Sequence, residues 1–317
     1  LEDGDAVGTP GVMAVTPVGR RMETVVVTGA LGRSGRWIAD ALADEYEVVC
    51  VDLHHPGFET PTRENVDFRA ADLADGGEAF DLFSELAPDA VVHWAAIPAP
   101  TRHAGGRVFE TNTLATYNVL VGAGRADARV VWASSESAYG FAFAEEKTLP
   151  EELPITESHP TRPEDPYGTA KVAGEEVAKM VARKYGVPVA SIRPSWIQYP
   201  GEYNCRGVAE SGDLAGGAGN FWSYVDVRDV AGIVAAALGA DLAGHEAFHA
   251  AAADNYLGRP TADAVEEFFG ALPDDRDLDG DASALSTAKA GEHLGWEPEH
   301  SWREAADESV PDPSVTR

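Results

Sequence analysis

From Val25 to Gly35 the chain reads Val25-Val26-Val27-Thr28-Gly29-Ala30-Leu31-Gly32-Arg33-Ser34-Gly35, a β-branched run followed by glycines at three-residue intervals. β-branched side chains favour extended backbone, and glycine permits the tight turn that follows such a strand. A helical pattern begins at Arg33, so a strand feeds a helix across the glycines. From Thr24 onward the alternation continues. Strands are expected at 24–28, 47–52, 66–69, 89–94, 129–134 and 188–193, and helices at 33–44, 77–86, 106–125, 166–185 and 227–239. The predicted fold class is α/β, a doubly wound parallel sheet of the Rossmann type with a small C-terminal lobe.

The glycine turn also predicts a ligand. Backbone amides of Gly29, Leu31, Gly32, Arg33 and Gly35 can approach a pyrophosphate at a helix N-terminus, where the helix dipole favours negative charge. A carboxylate, Asp52, closes the second strand Val48-Val49-Cys50-Val51-Asp52, placed to take the adenosine ribose hydroxyls. The expected cofactor is therefore NAD, with NADP kept open because Arg33 and Arg36 can reach a 2′-phosphate. Asp72 and Leu73, after the third strand, are placed to meet the adenine. Trp94, Ala95 and Ala96, after the fourth, offer small residues beside which a dinucleotide can pass.

Two stretches break the alternation: 195–223, rich in Gly, Tyr and Trp, and 251–305, which holds an acidic run at 274–281. The expected domains are an NAD-binding domain over 22–194, rejoined by 222–250, and a substrate lobe over 195–221 and 251–310. The acidic run lacks the glycine position and closing glutamate of a calcium loop, and no metal is expected. Residues 1–21 read as a disordered leader, with Met13 and Met22 as internal candidate starts.

The 317 residues carry a formal charge of −29, and only five are lysine. Such a surface repels nucleic acid and anionic membranes and is like that of halophilic cytosolic proteins. Cys50 and Cys205 form no spaced framework, which fits a reducing cytoplasm. No apolar run reaches the roughly 18 residues of a membrane span.

Far downstream lies Asp165-Pro166-Tyr167-Gly168-Thr169-Ala170-Lys171. Proline at the first helical position and aspartate as cap predict a helix start, which puts Tyr167 and Lys171 one turn apart on one face. A phenol whose pKa is lowered by a neighbouring ammonium suits proton removal from an alcohol as hydride leaves. The fifth strand ends in Ser134-Ser135-Glu136-Ser137-Ala138-Tyr139-Gly140 and presents hydroxyls at the same edge. Ser135 is the choice to hold the reacting oxygen, and Ser134 is the alternative.

Together these segments resemble the extended short-chain dehydrogenase/reductase family, also called the NAD-dependent epimerase/dehydratase family. The resemblance runs from about Thr24 to Trp296 and continues through Arg193-Pro194 and Tyr224-Val225-Asp226-Val227-Arg228-Asp229-Val230. It implies Tyr167 as base, Lys171 as its activator and nicotinamide-ribose ligand, Ser135 as substrate-oxygen ligand and Asn112 as a structural residue near the site. It also implies a homodimer or homotetramer built on the helices near 106–125 and 166–185.

Nucleotide-sugar enzymes of this family carry a longer segment between the arginine of the sixth strand and the Tyr-Val-Asp segment. Here Arg193 to Tyr224 spans 224 − 193 = 31 positions. The shortened lobe looks more like that of the uronate and aldose dehydrogenases, which oxidise the anomeric carbon of a small free sugar to a lactone. Ser195, Asn204 and Arg206 are candidates for the remaining sugar groups, with Arg206 able to pair a uronate carboxylate. A nucleotide-sugar 4-epimerase or dehydratase with tightly bound NAD is the alternative reading.

Overall fold

The computed structural model describes residues 23–57 and 63–315, and the expected leader at 1–21 lies outside them. The first half runs β1 (Thr24–Thr28), α1 (Gly35–Leu42), β2 (Glu47–Asp52), β3 (Val66–Ala70), α2 (Gly76–Leu86), β4 (Ala90–His93), α3 (Gly105–Arg125) and β5 (Arg129–Ala133). After a 3₁₀ turn at Glu136–Tyr139 come β6 (Glu152–Leu153), α4 (Pro166–Tyr185), β7 (Val189–Pro194), β8 (Ile197–Gln198), α5 (Asn204–Ser211), β9 (Val225–Asp226) and α6 (Val227–Gly239). The remainder is β10 (His245–Ala250), α7 (Thr261–Phe269), β11 (Asp275–Arg276), α8 (Ala288–Leu294) and α9 (Trp302–Ala305).

Seven strands form one parallel sheet in the order β10-β7-β5-β4-β1-β2-β3. The order in which strands are added reverses between β1 and β4, and the crevice outside their carboxyl ends is where open α/β sheets take ligands. The seventh strand, β10, was not expected. His245-Glu246-Ala247-Phe248-His249-Ala250 lacks β-branched residues, and it is held at the sheet edge by pairing with β7. Cys205 lies buried in α5.

The period-2 alternation of the strands divides the core into two layers. Val25 and Val27 of β1 face α1 and α6 through Ile38, Leu42, Ile233 and Val234. Val26 faces α2, α3 and α4 through Phe83, Val119, Leu120 and Val181. A third apolar cluster, with Tyr203, Phe221, Trp222, Tyr224 and Tyr256, forms the lobe. Tyr139, Leu153 and Ile155 join it, so the segment after β5 packs with the lobe although the sequence division had it inside the nucleotide domain. Among the described residues no helix is long and apolar enough to cross a membrane.

Candidate active site at the carboxyl edge of the sheet

The glycine turn is shaped by close approach. Gly29 has φ +67°, and a Cβ there would lie 2.7 Å from the backbone of Ala95. A Cβ on Gly35 would lie 2.0 Å from the Gly29 carbonyl oxygen, so the turn closes on itself and against the end of β4. Ser34 precedes α1 without capping it, because its Oγ instead accepts from Trp94 Nε1 at 3.1 Å. Among the described residues no side chain accepts from the first-turn amides of α1, which fits an anionic pyrophosphate. Asp52 Oδ2 accepts from the Leu31 amide at 3.1 Å and Oδ1 from Leu53 at 2.8 Å. The carboxylate is fixed beside the turn with lone pairs left for ribose hydroxyls.

The other nucleotide-side candidates separate. Ala95 is half-buried, Ala96 is exposed, and the Ala95 amide donates to Thr28 Oγ1 at 3.3 Å. The Trp94 indole packs into the core and tethers the turn through Ser34. Asp72 is exposed and accepts from Ala74 N, while the Leu73 side chain is buried in the layer below. The Arg33 guanidinium turns toward the lobe, where it lies 4.0 Å from the Tyr199 ring centroid and 2.6 Å from Glu202. Arg36 pairs with Asp312.

The start of α4 forms as the sequence predicts: Asp165 Oδ1 accepts from the amides of Tyr167 and Gly168, each at 2.9 Å. Gly168 lets the helix press against the 3₁₀ turn, since a Cβ there would lie 2.5 Å from the Ser137 carbonyl oxygen. This approach brings the Tyr167 phenol near the Ser135 hydroxyl, whose polar influence lowers the phenol's pKa, while Ser135 Oγ itself accepts from the Ser137 amide at 3.1 Å. Lys171 is buried, donates to the Ala133 carbonyl at 2.6 Å and lies 5.4 Å from the Tyr167 ring centroid. Its pKa is pushed down to about 7 by burial.

The phenol does not follow the expectation of a lowered pKa. Burial pushes Tyr167 up to about 12, with Asp165 and Glu136 adding negative potential and the Ser135 hydroxyl opposing them. The ammonium faces a carbonyl and the ring rather than the phenol oxygen, so it does not overcome that burial. Asn112 clamps the backbone after β4, accepting from Ile97 N at 2.8 Å and donating to Ile97 O at 3.0 Å.

A family model described as the NAD dependent epimerase/dehydratase family matches residues 25–250. The chain belongs to this family. Its members depend on NAD, and the turn and Asp52 described above are where these residues fit it. Over 182 residues the chain is 33% identical to an L-arabinose 1-dehydrogenase (NAD(P)(+)) of Haloferax volcanii, covering 56% of this chain and 68% of the relative. It is 28% identical over 182 residues to a uronate dehydrogenase of Pseudomonas putida, covering 57% and 62%. A solved UDP-galactose 4-epimerase superposes with a TM-score of 0.64 at 28% identity, covering 92% of this chain and 97% of that one. The matches to curated relatives span between half and about two thirds of those proteins' own length.

On the substrate side this epimerase/dehydratase chain departs from the sequence expectations. Ser134 is not free to meet a sugar: its hydroxyl is buried and donates to Glu175 Oε1 at 2.6 Å. Glu175 in turn holds Arg193 through Nε at 2.8 Å and Nη2 at 2.6 Å. Arg206 pairs with Asp307 at 2.6 Å on exposed surface, as an acidic chain readily offers it a carboxylate. Asn204 is exposed at the start of α5. Ser195 is buried and donates to Glu136 Oε2 at 2.8 Å. Glu136, to which sequence reasoning gave no role, thus stands between Ser135 and the lobe. Its signal was an acidic residue directly after the strand-end serines.

Proposed function

We propose that this chain is an NAD-dependent sugar dehydrogenase that oxidises the anomeric carbon of a small free sugar to a lactone. The observation that carries the reading is the Tyr167–Ser135 pair beside the glycine turn, facing a lobe whose segment from Arg193 to Tyr224 is short and filled by its own aromatic core. Ser135 holds the anomeric hydroxyl, and Tyr167 takes its proton. Bound NAD supplies the hydride acceptor. Lys171, anchored on Ala133, positions the phenol and the cofactor ribose and balances phenolate charge as it forms. The likeness to an arabinose 1-dehydrogenase supports this reading, and the likeness to a UDP-galactose 4-epimerase supports the alternative of nucleotide-sugar epimerisation.

In the same reading residues 22–194 and 222–250 hold the cofactor, and the lobe holds the sugar. Two copies pair through α3 and α4, where Phe109, Leu114 and Tyr117 are exposed on α3. The acidic surface keeps the enzyme hydrated in a salt-rich cytoplasm. The test is net NADH formation in molar KCl against free pentoses, hexoses and uronic acids, with UDP-sugars in parallel. Turnover of a free sugar that Tyr167→Phe abolishes supports the dehydrogenase. Interconversion of UDP-sugars without net NADH overturns it.

A further inference from the structure

One of the five lysines in this acidic chain is spent inside a loop. The Lys147 ammonium is half-buried and donates to the carbonyl oxygens of Phe141, Ala142 and Ala144, each at 3.0 Å, which uses all three of its donors. Among the described residues no carboxylate pairs with it, and burial lowers its pKa. Three charge-assisted bonds to one short segment close residues 141–147 into a clasp around their own cation.

The clasp touches the lobe on one side and the catalytic phenol on the other. Gly219 lies in the 3₁₀ turn Ala218–Asn220 of the lobe, and a Cβ there would lie 2.8 Å from the Ala142 carbonyl oxygen and 3.1 Å from Lys147 Nζ. The Phe141 ring meets Phe221 edge-on, with centroids 5.1 Å apart. Phe143, 38% exposed, stands edge-on to the Tyr167 ring with centroids 6.2 Å apart. A sugar ring has hydroxyls around its rim and an apolar face of C–H bonds, which an aromatic ring can cover. Ser135 and Tyr167 hold one hydroxyl on the rim and leave the face to another group.

We propose that Phe143 is the wall on which the C–H face of the sugar packs beside Tyr167, and that Lys147 is a positioning residue that holds this wall against the lobe at Gly219. The proposal rests on the sugar dehydrogenase reading above and adds to it a specificity-determining side chain. The wall also keeps water from one side of the phenol. Burial is the largest cause of the raised Tyr167 pKa, so loss of the ring should let that pKa fall. Asp165, Glu136, Ser135 and Lys171 also face the phenol, and substitutions in the clasp leave them in place.

The experiment measures kcat and KM across pH for the full-length protein on free pentoses, hexoses and uronic acids. The variants are Phe143→Ala, Phe143→Tyr, Lys147→Met and Gly219→Ala, with Phe143→Ala also combined with each of the last two. NADH binding followed by fluorescence reports that each variant keeps its cofactor site. Phe143→Ala should raise KM by about 10-fold while kcat on the high-pH plateau changes by less than about 3-fold. Because the base acts as phenolate, a lower phenol pKa should also move the acid limb of kcat/KM to lower pH. Phe143→Tyr keeps a ring and should stay within about 3-fold of the unaltered protein. Lys147→Met and Gly219→Ala should shift KM and the acid limb in the same direction as Phe143→Ala. Each combined variant should be no worse than Phe143→Ala alone, since both changes act through one ring. An unmoved KM and acid limb in Phe143→Ala overturns the wall, and additive losses in the combined variants overturn the role of Lys147, in both cases leaving the dehydrogenase reading intact. If Lys147→Met does not fold, Gly219→Ala decides the second point. Silence of the unaltered protein on every free sugar overturns both readings.

Discussion

Replacing Glu175 by alanine should destabilise the protein out of proportion to the few atoms removed. The Glu175 and Arg193 side chains are 6% and 5% exposed, and the carboxylate accepts from Arg193 Nε, Arg193 Nη2 and Ser134 Oγ. Alanine leaves the guanidinium buried with two of its nitrogens unpaired, for which the cost is about 3–5 kcal/mol. Arg193 Nη1 keeps Tyr139 Oη at 2.7 Å and the Glu157 carbonyl at 3.0 Å, which places the expected loss near the lower end, about 3 kcal/mol. Urea unfolding at fixed KCl should therefore show a lower midpoint with an unchanged slope. Removing both partners, as Glu175→Leu with Arg193→Met, should recover most of that loss, since an apolar pair leaves no buried charge. The pH dependence has a definite sign. The Arg193 and Ser134 bonds hold the Glu175 carboxyl below its ordinary value despite burial, so its stabilisation is present above the unfolded carboxylate range and is lost as pH falls through the folded value. The gap between the two proteins should hold from pH 6 to 8 and shrink below about pH 4. A gap under about 1 kcal/mol at pH 7 would refute the reasoning.

Three further outcomes follow from the site. Lys171→Met should lower NADH formation by at least about 100-fold yet leave the protein as stable or more stable at pH 7. Because burial sets the folded amine near 7, below its unfolded value, the unaltered protein should gain stability as pH rises above 7, and the variant should lack that slope in thermal melts. If Asp52 takes the adenosine ribose as proposed, Asp52→Asn should raise the NADP-to-NAD ratio of kcat/KM by at least about 10-fold, since the carboxylate fixed beside the glycine turn would no longer repel a 2′-phosphate. Leu114→Glu with Tyr117→Glu should convert a dimer to a monomer by light scattering in KCl, and an unchanged mass would place the interface elsewhere.

The sheet was legible wherever a strand is buried on both faces, because such strands must be β-branched and apolar, as β1, β2 and β4 are. β10 escaped because an edge strand paired on one side tolerates His245, Glu246 and His249, two of which are taken up by the side chains of Ser191 and Tyr139. The helix start at Tyr167 was legible because its cap and proline act locally. The partners of Ser134 and Ser195 were not. Neighbouring serines look alike in a sequence, and only the crossing of α4 and β7 behind β5 decides that Ser134 turns inward to Glu175. The direction of the Tyr167 shift was hidden for a related reason: Tyr-x-x-x-Lys spacing sets a common helix face, but burial and the Ala133 carbonyl decide where the ammonium points.

In the proposed reaction hydride leaves the anomeric carbon of a free sugar and stays on the nicotinamide at the end of turnover. Sugars deuterated at C1, galactose and arabinose first, test it with purified protein and NAD in molar KCl. The deuterium should be recovered in released NADH, one per lactone formed, and Tyr167→Phe should stop the transfer. Deuterium retained in the sugar, with UDP-sugars interconverted and no NADH released, would contradict it.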